Sequence, residues 1–145
     1  MTTKLSELDS ERLDSILNAA LKEFSLKGFD DASTNKIAKE AGISKSLMFH
    51  YAGSKQELFL FIYDYFQEFL SRKYYQLINY EETDIFNRLR QSYALQIELT
   101  KKYPRILDFN NLSSATSSIE INKELKKRKD KQNTTCYPSI FYSIL

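Results

Sequence analysis

The sequence predicts an all-α fold: a three-helix head containing a helix-turn-helix, followed by a helical body. Three observations predict it. Apolar residues recur at i, i+3 and i+4 through most of the 145 residues, the spacing of one buried helical face. Three glycines and two prolines leave little material for the tight turns of an all-β fold. Serine and aspartate stand just ahead of the periodic runs, where a helix needs side-chain oxygens for its unpaired N–H groups.

Residues 1–9 are polar and read as loose. Leu13, Ile16, Leu17, Ala20, Leu21 and Phe24 then line one face of a helix from Glu11 to Lys27, which Gly28 stops. The stretch STNKIAKEAGISKSLMFHYAGSKQE (33–57) reads as two short helices crossing through a tight turn. Ala38 is small where the helices come closest, and Gly42 supplies the positive φ that opens the turn. Ile37, Ala41, Ile43, Met48 and Tyr51 pack the pair together, with Ser33 and Ser44 as N-caps. Ala52–Gly53 breaks the second helix.

Ser54 and Glu57 form a capping box that opens a long helix to the late seventies, with Leu58, Ile62, Tyr65, Phe66 and Phe69 on one side. Thr83–Asp84 starts another, with Phe86, Leu89, Tyr93 and Ile97 expected inward, and it ends before Pro104. Residues 105–112 look like a short helix. Ser117 and Glu120 are expected to cap a charged helix through the low 130s. No repeat or low-complexity linker is visible, so the helix from Ser54 joins head to body.

Crossed helices of this kind are built to enter a DNA groove, and they carry their own candidate contacts. Lys45, Ser46, Leu47, Phe49 and His50 fall on the outward side of the second helix. Apolar groups there meet thymine methyls, while serine and histidine donate to base edges or phosphates. The alternative for His50, the single histidine, is a packed core ring. Tyr51 packs its ring while its hydroxyl reaches a phosphate. Thr34, Asn35 and Ser44 sit at helix starts, placed to touch the backbone, and Lys55 lies where a helix N-terminus and a cation together favour phosphate. Between Thr34 and Lys55 four lysines (36, 39, 45 and 55) face one acid, Glu40. The overall charge of +2 gives no such signal.

The order of residues resembles the DNA-binding head of the TetR family of transcriptional regulators. The likeness runs through RLDSILNAALKEFSLKGFDDAST (12–34) and KIAKEAGISKSLMFHYAGSKQEL (36–58), with a glycine-aromatic corner at Gly28–Phe29. The resemblance implies a head at 9–69 and a helical effector-binding and dimerisation region at 70–145. It implies a ligand-responsive repressor on a palindromic double-stranded operator, acting as a homodimer. In similar regulators the His50 position contacts the DNA backbone. Phe49 stands where they usually carry a DNA-bonding tyrosine, Leu47 replaces a common threonine, and Ala52–Gly53 replaces an aromatic-proline pair. These departures leave the scaffold intact and alter which bases are read.

The body is rich in rings: Tyr63, Tyr65, Phe66, Phe69, Tyr74, Tyr75, Tyr80, Phe86, Tyr93, Tyr103 and Phe109. Most are core. Phe66, Phe69 and Tyr93 are the candidate walls of a site for a small, largely apolar effector. A DNA-binding adaptor whose body recognises a protein partner is the alternative. Family members usually run longer, and the apolar FYSIL at the end reads as a truncated body, the alternative being a different mode of dimerisation.

The remaining signals exclude other classes. Cys136 has no partner for a disulfide or zinc site and reads as a reduced thiol. KELKKRKDKQ (123–132) carries six basic and two acidic residues and reads as a solvated helix face, since stacking aromatics are missing. No nucleophile elbow, phosphate loop or metal-ligand spacing appears, so neither an enzyme nor a cofactor is expected. No apolar run approaches the ~20 residues of a membrane span, and the chain is read as cytoplasmic.

Overall fold

In the computed structural model, which describes residues 4–77, 79, 81–112 and 116–134, seven α-helices follow a short 3-10 turn and no strand is present among those residues. The helices are α1 (Ser10–Asp31), α2 (Thr34–Glu40), α3 (Lys45–Ala52), α4 (Lys55–Leu77), α5 (Ile85–Lys102), α6 (Ile106–Leu112) and α7 (Ile119–Thr134). Tyr80, Cys136, the FYSIL run and the side chains of Tyr74 and Tyr75 lie outside the described residues.

Local chemistry sets most boundaries. The Asp9 carboxylate caps α1 by accepting from Arg12 N at 3.0 Å. Gly28, at φ 71°, interrupts that helix where the sequence expects its stop. Ser54 N donates to Glu57 at 2.8 Å while Glu57 N donates to Ser54 Oγ at 3.1 Å, the reciprocal bonds of a capping box. Asp84 caps α5 through Phe86 N at 2.9 Å. Ser118, and not Ser117, accepts from Ile121 N at the start of α7. Only Ser117 has an acid three residues on, but it is drawn away to bond Asp30, and its neighbour takes the cap.

The N-terminus departs from the loose segment expected. Residues Leu5–Glu7 form the 3-10 turn, Leu5 is fully buried, and Lys4 N donates to Tyr51 O at 2.9 Å. Leu5 and Leu8 are too few to give a periodic signal, yet the burial of Leu5 with Leu8 packed beside it anchors the segment.

One core runs through head and body. Ile16, Leu17, Leu21 and Phe24 of α1 meet Ile37, Met48, Leu58 and Ile62. On the body side Phe109 of α6 closes a ring cluster, 5.2 Å from Phe59 and 6.4 Å from Phe24, with Phe29 also 5.2 Å from Phe59. Such tilted and edge-on pairs are the preferred geometry of rings with a negative face and positive edge.

The inward face of α5 differs from expectation. Ser92, Leu95 and Leu99 are buried, whereas Phe86, Tyr93 and Ile97 are 74%, 49% and 57% exposed. The helix has apolar stripes on two sides, roughly 130° apart at 100° per residue, and α4 takes the Leu95–Leu99 side. Tyr93 therefore stands outside the body interior.

Candidate nucleic-acid interface

The turn between α2 and α3 is fixed by backbone chemistry. Gly42, at φ 71°, takes the left-handed conformation open to a residue without Cβ. Its N–H donates to Lys39 O at 3.2 Å and Ile43 N donates to Ala38 O at 3.0 Å. These paired bonds, a Schellman motif, satisfy the last carbonyls of α2 and redirect the chain. Ser44 then caps α3 by accepting from Leu47 N at 3.1 Å, and Ser33 caps α2 through Lys36 N at 3.5 Å. Ile37, Ala38, Met48 and Ala52 are buried, with Ala41, Ile43 and Tyr51 packed beside them.

With those faces inward, the opposite side of α3 is outward. Ser44, Lys45, Ser46, Phe49 and His50 are exposed, Phe49 to 41%. Leu47 is only half-exposed. Lys45 Nζ lies 5.8 Å from the Phe49 ring centroid, one turn along, and this cation–ring contact keeps both groups on one face. His50 is exposed, not a core ring, and meets Tyr51 edge-on at 5.1 Å. Asn35 is exposed and Thr34 half-exposed at the start of α2, alongside exposed Lys36 and Lys39. Thr34, Asn35 and residues 44–50 thus belong to one helix-turn-helix unit.

Lys55 is placed differently from its neighbours. Its ammonium donates to Asp30 O at 2.8 Å and Ala32 O at 3.2 Å, and lies 4.9 Å from the Phe29 ring. It thereby ties the start of α4 to the carbonyls that end α1. At this half-exposed position the ammonium bonds carbonyls twenty-odd residues back along the chain.

Three supports went unseen in the sequence. Glu23 is buried on α1, and its carboxylate accepts from Ser33 N at 3.0 Å, steadying the entry to α2. Lys22 pairs with Glu40 at the far end of α2. Asp30 accepts from Ser117 N at 3.0 Å, Ser117 Oγ at 2.6 Å and Thr116 Oγ1 at 3.4 Å. Those bonds, the Ser117 hydroxyl foremost, hold the Asp30 carboxyl below the usual aspartate value. Contacts of such long separation leave no periodic trace in the sequence.

In the body, the three expected effector walls are not brought together. Phe66 is buried in the core, 4.8 Å from Tyr103, and Tyr93 faces away. Phe69 does line a cleft of about 220 Å³ between α4 and α5, with Leu95 and Leu99 below and Lys73, Glu98 and Lys102 at its edge. No group of three or more metal-ligating side chains occurs among the described residues, and no helix there is long and apolar enough to cross a membrane.

Residues 16–62 match the family described as bacterial regulatory proteins, tetR family. The chain is 29% identical over 115 residues to YuxN of Bacillus subtilis, an uncharacterized HTH-type transcriptional regulator, covering 77% of this chain and 37% of that protein. It is 25% identical over 131 residues to IcaR of Staphylococcus epidermidis, the negative transcriptional regulator of the biofilm operon icaADBC, covering 88% of this chain and 66% of that protein.

Proposed function

We infer that this chain, whose residues 16–62 match the tetR family of bacterial regulatory proteins, is a DNA-binding transcriptional regulator that represses by occupying a palindromic operator as a homodimer. The observation that carries the reading is the Ser44-capped α3, which buries Met48 and Ala52 while presenting Lys45, Ser46, Phe49 and His50 to solvent. In a groove, Ser46, Leu47 and Phe49 read base edges and methyls, and Lys45, His50, Thr34 and Asn35 hold phosphates. Tyr51 and Ser44 add backbone contacts. The relation to IcaR, named a negative regulator, supports repression over activation.

The effector in this reading is small and largely apolar, seated in the cleft of Phe69, Leu95 and Leu99. It acts by favouring one spacing of the two heads, since a ligand that binds both states equally shifts nothing. α4 spans from Lys55 at the head to that cleft, so it is the natural lever.

The test is footprinting on DNA flanking the chain's own gene and on DNA selected from a random pool. The expected result is two protected half-sites centred about 34–36 Å apart, or a multiple of it. A chain that enriches no sequence and protects none overturns the reading.

A further inference from the structure

The segment ahead of α1 is strapped to the end of α3. Lys4 N donates to Tyr51 O at 2.9 Å, and the next residue, Leu5, is fully buried. Leu8 packs beside the same core, and Asp9 then caps α1. A backbone bond, a buried side chain and a helix cap thus fix the path from Lys4 to Asp9.

The side chain of Lys4 is exposed, and no acid among the described residues pairs with its ammonium. Three other lysines of the head are engaged. Lys22 pairs with Glu40, Lys45 lies over the Phe49 ring, and Lys55 bonds the carbonyls that end α1. The Lys4 Cα lies within about 4.5 Å of the Tyr51 carbonyl oxygen, one N–Cα bond beyond the hydrogen bond. From there a four-carbon stem carries the ammonium over a radius of about 6 Å, which takes in the last turn of α3.

That end of α3 needs a cation if it is to meet phosphate. A helix C-terminus carries roughly half a negative charge on its unpaired carbonyls, which repels an anion. α3 has Lys45 at its first position but only His50 as a basic residue in its last turn. Lys4 brings a full positive charge to that end from a different element.

We propose that Lys4 is a DNA-contacting residue whose ammonium binds a backbone phosphate beside the groove that α3 enters. This rests on the reading of α3 as the groove-entering helix and adds a contact from outside the helix-turn-helix. A phosphate contact positions the head and reads no base. The pinned backbone matters, because a cation presented from a fixed point loses less freedom on binding than one on a loose tail.

The test measures the affinity of the full chain for random-sequence double-stranded DNA across a salt series. Lys4→Ala lowers the slope of log K against log salt by about one, with an unchanged thermal melt. Lys4→Arg keeps the parent slope. Lys126→Ala removes an equal charge from the exposed face of α7 and leaves the slope as it was. A parental slope in Lys4→Ala overturns the proposal. Equal flattening by Lys126→Ala does the same, since it reduces the effect to net charge. If Lys45→Ala flattens the slope and Lys4→Ala does not, the proposal falls while the reading of α3 stands. A parent chain with no salt-dependent DNA binding overturns both.

Discussion

The phenol of Tyr103 donates to the Asp14 carboxylate at 2.5 Å, tying the residue after α5 to the first turns of α1. Burial is the main cause that pushes this phenol's pKa above its ordinary value, with the Asp14 bond second. Asp14 also meets Lys102 at 3.2 Å, so the head's first helix is fastened to the body by a buried hydroxyl and an exposed cation. Tyr103→Phe keeps the ring against Phe66 and removes the donor. The expected loss is about 1–2 kcal/mol in urea unfolding. Because the bond is shared, adding Asp14→Asn costs only the further loss of the exposed Lys102 pair, about 0–1 kcal/mol. Full additivity of the two losses would show that the pair does not act as a unit.

Two lysines ten residues apart are expected to fail in different ways. Lys45→Ala weakens binding to all DNA sequences and lowers the slope of log K against log salt by about one. Lys55→Ala, which empties the contacts to Asp30 O and Ala32 O, lowers thermal stability and leaves the slope unchanged. A reduced slope for Lys55→Ala at unchanged stability would return that ammonium to the phosphate backbone.

Base preference is expected to follow Ser46 and Leu47. Ser46→Ala or Leu47→Thr changes discrimination at particular positions by about 1–3 kcal/mol per altered pairing. Selection from random DNA reads the result directly. The same preferred motif from both variants would assign readout to DNA shape or to other side chains.

Acid sensitivity is expected at Asp30. Its folded pKa is lowered, chiefly by the Ser117 hydroxyl, so its contribution is complete above the unfolded value near 3.8 and is lost as pH falls through the lower folded value. Glu57, lowered mainly by the Ser54 backbone N–H, behaves with the same sign. Asp30→Asn should flatten the acid limb of stability against pH, measured by circular dichroism melts from pH 2 to 6. An acid limb as steep as that of the parent would show that the Ser117 bonds do not favour the ionised carboxyl.

Gly42→Ala tests the turn without a steric clash, since a Cβ there finds nothing within 4 Å. The cost is conformational, about 1–2 kcal/mol for placing an L-residue at positive φ. Operator binding is expected to survive at temperatures well below the melt. Loss of binding by a fully folded variant would mean that the angle between α2 and α3 has changed.

What was legible in the sequence was chemistry confined to a few neighbouring residues. Gly42, Ser44 and the Ser54–Glu57 pair each dictate their own backbone, whatever packs around them. The outward face of α3 followed, because burying Met48 and Ala52 leaves Lys45, Ser46 and Phe49 on the other side. α5 was misread because Phe86, Tyr93 and Ile97 make as regular a stripe as Ser92, Leu95 and Leu99, and only a neighbouring helix chooses between them. The tie from Lys55 to the end of α1 was hidden for a related reason. Its carbonyl partners are assembled by the fold, from the corner after Gly28.

Phe109 bears on how the DNA-reading part can be transplanted. Its ring sits on Phe59 and close to Phe24, although the family match ends at residue 62. A graft cut at that boundary would carry α1–α3 but leave Phe109 behind, opening a hole whose cost approaches the about 3–5 kcal/mol typical of deleting a buried phenylalanine. A chimera-builder should therefore carry α6 along on a short tether, or refill the gap with a bulky residue from the recipient scaffold.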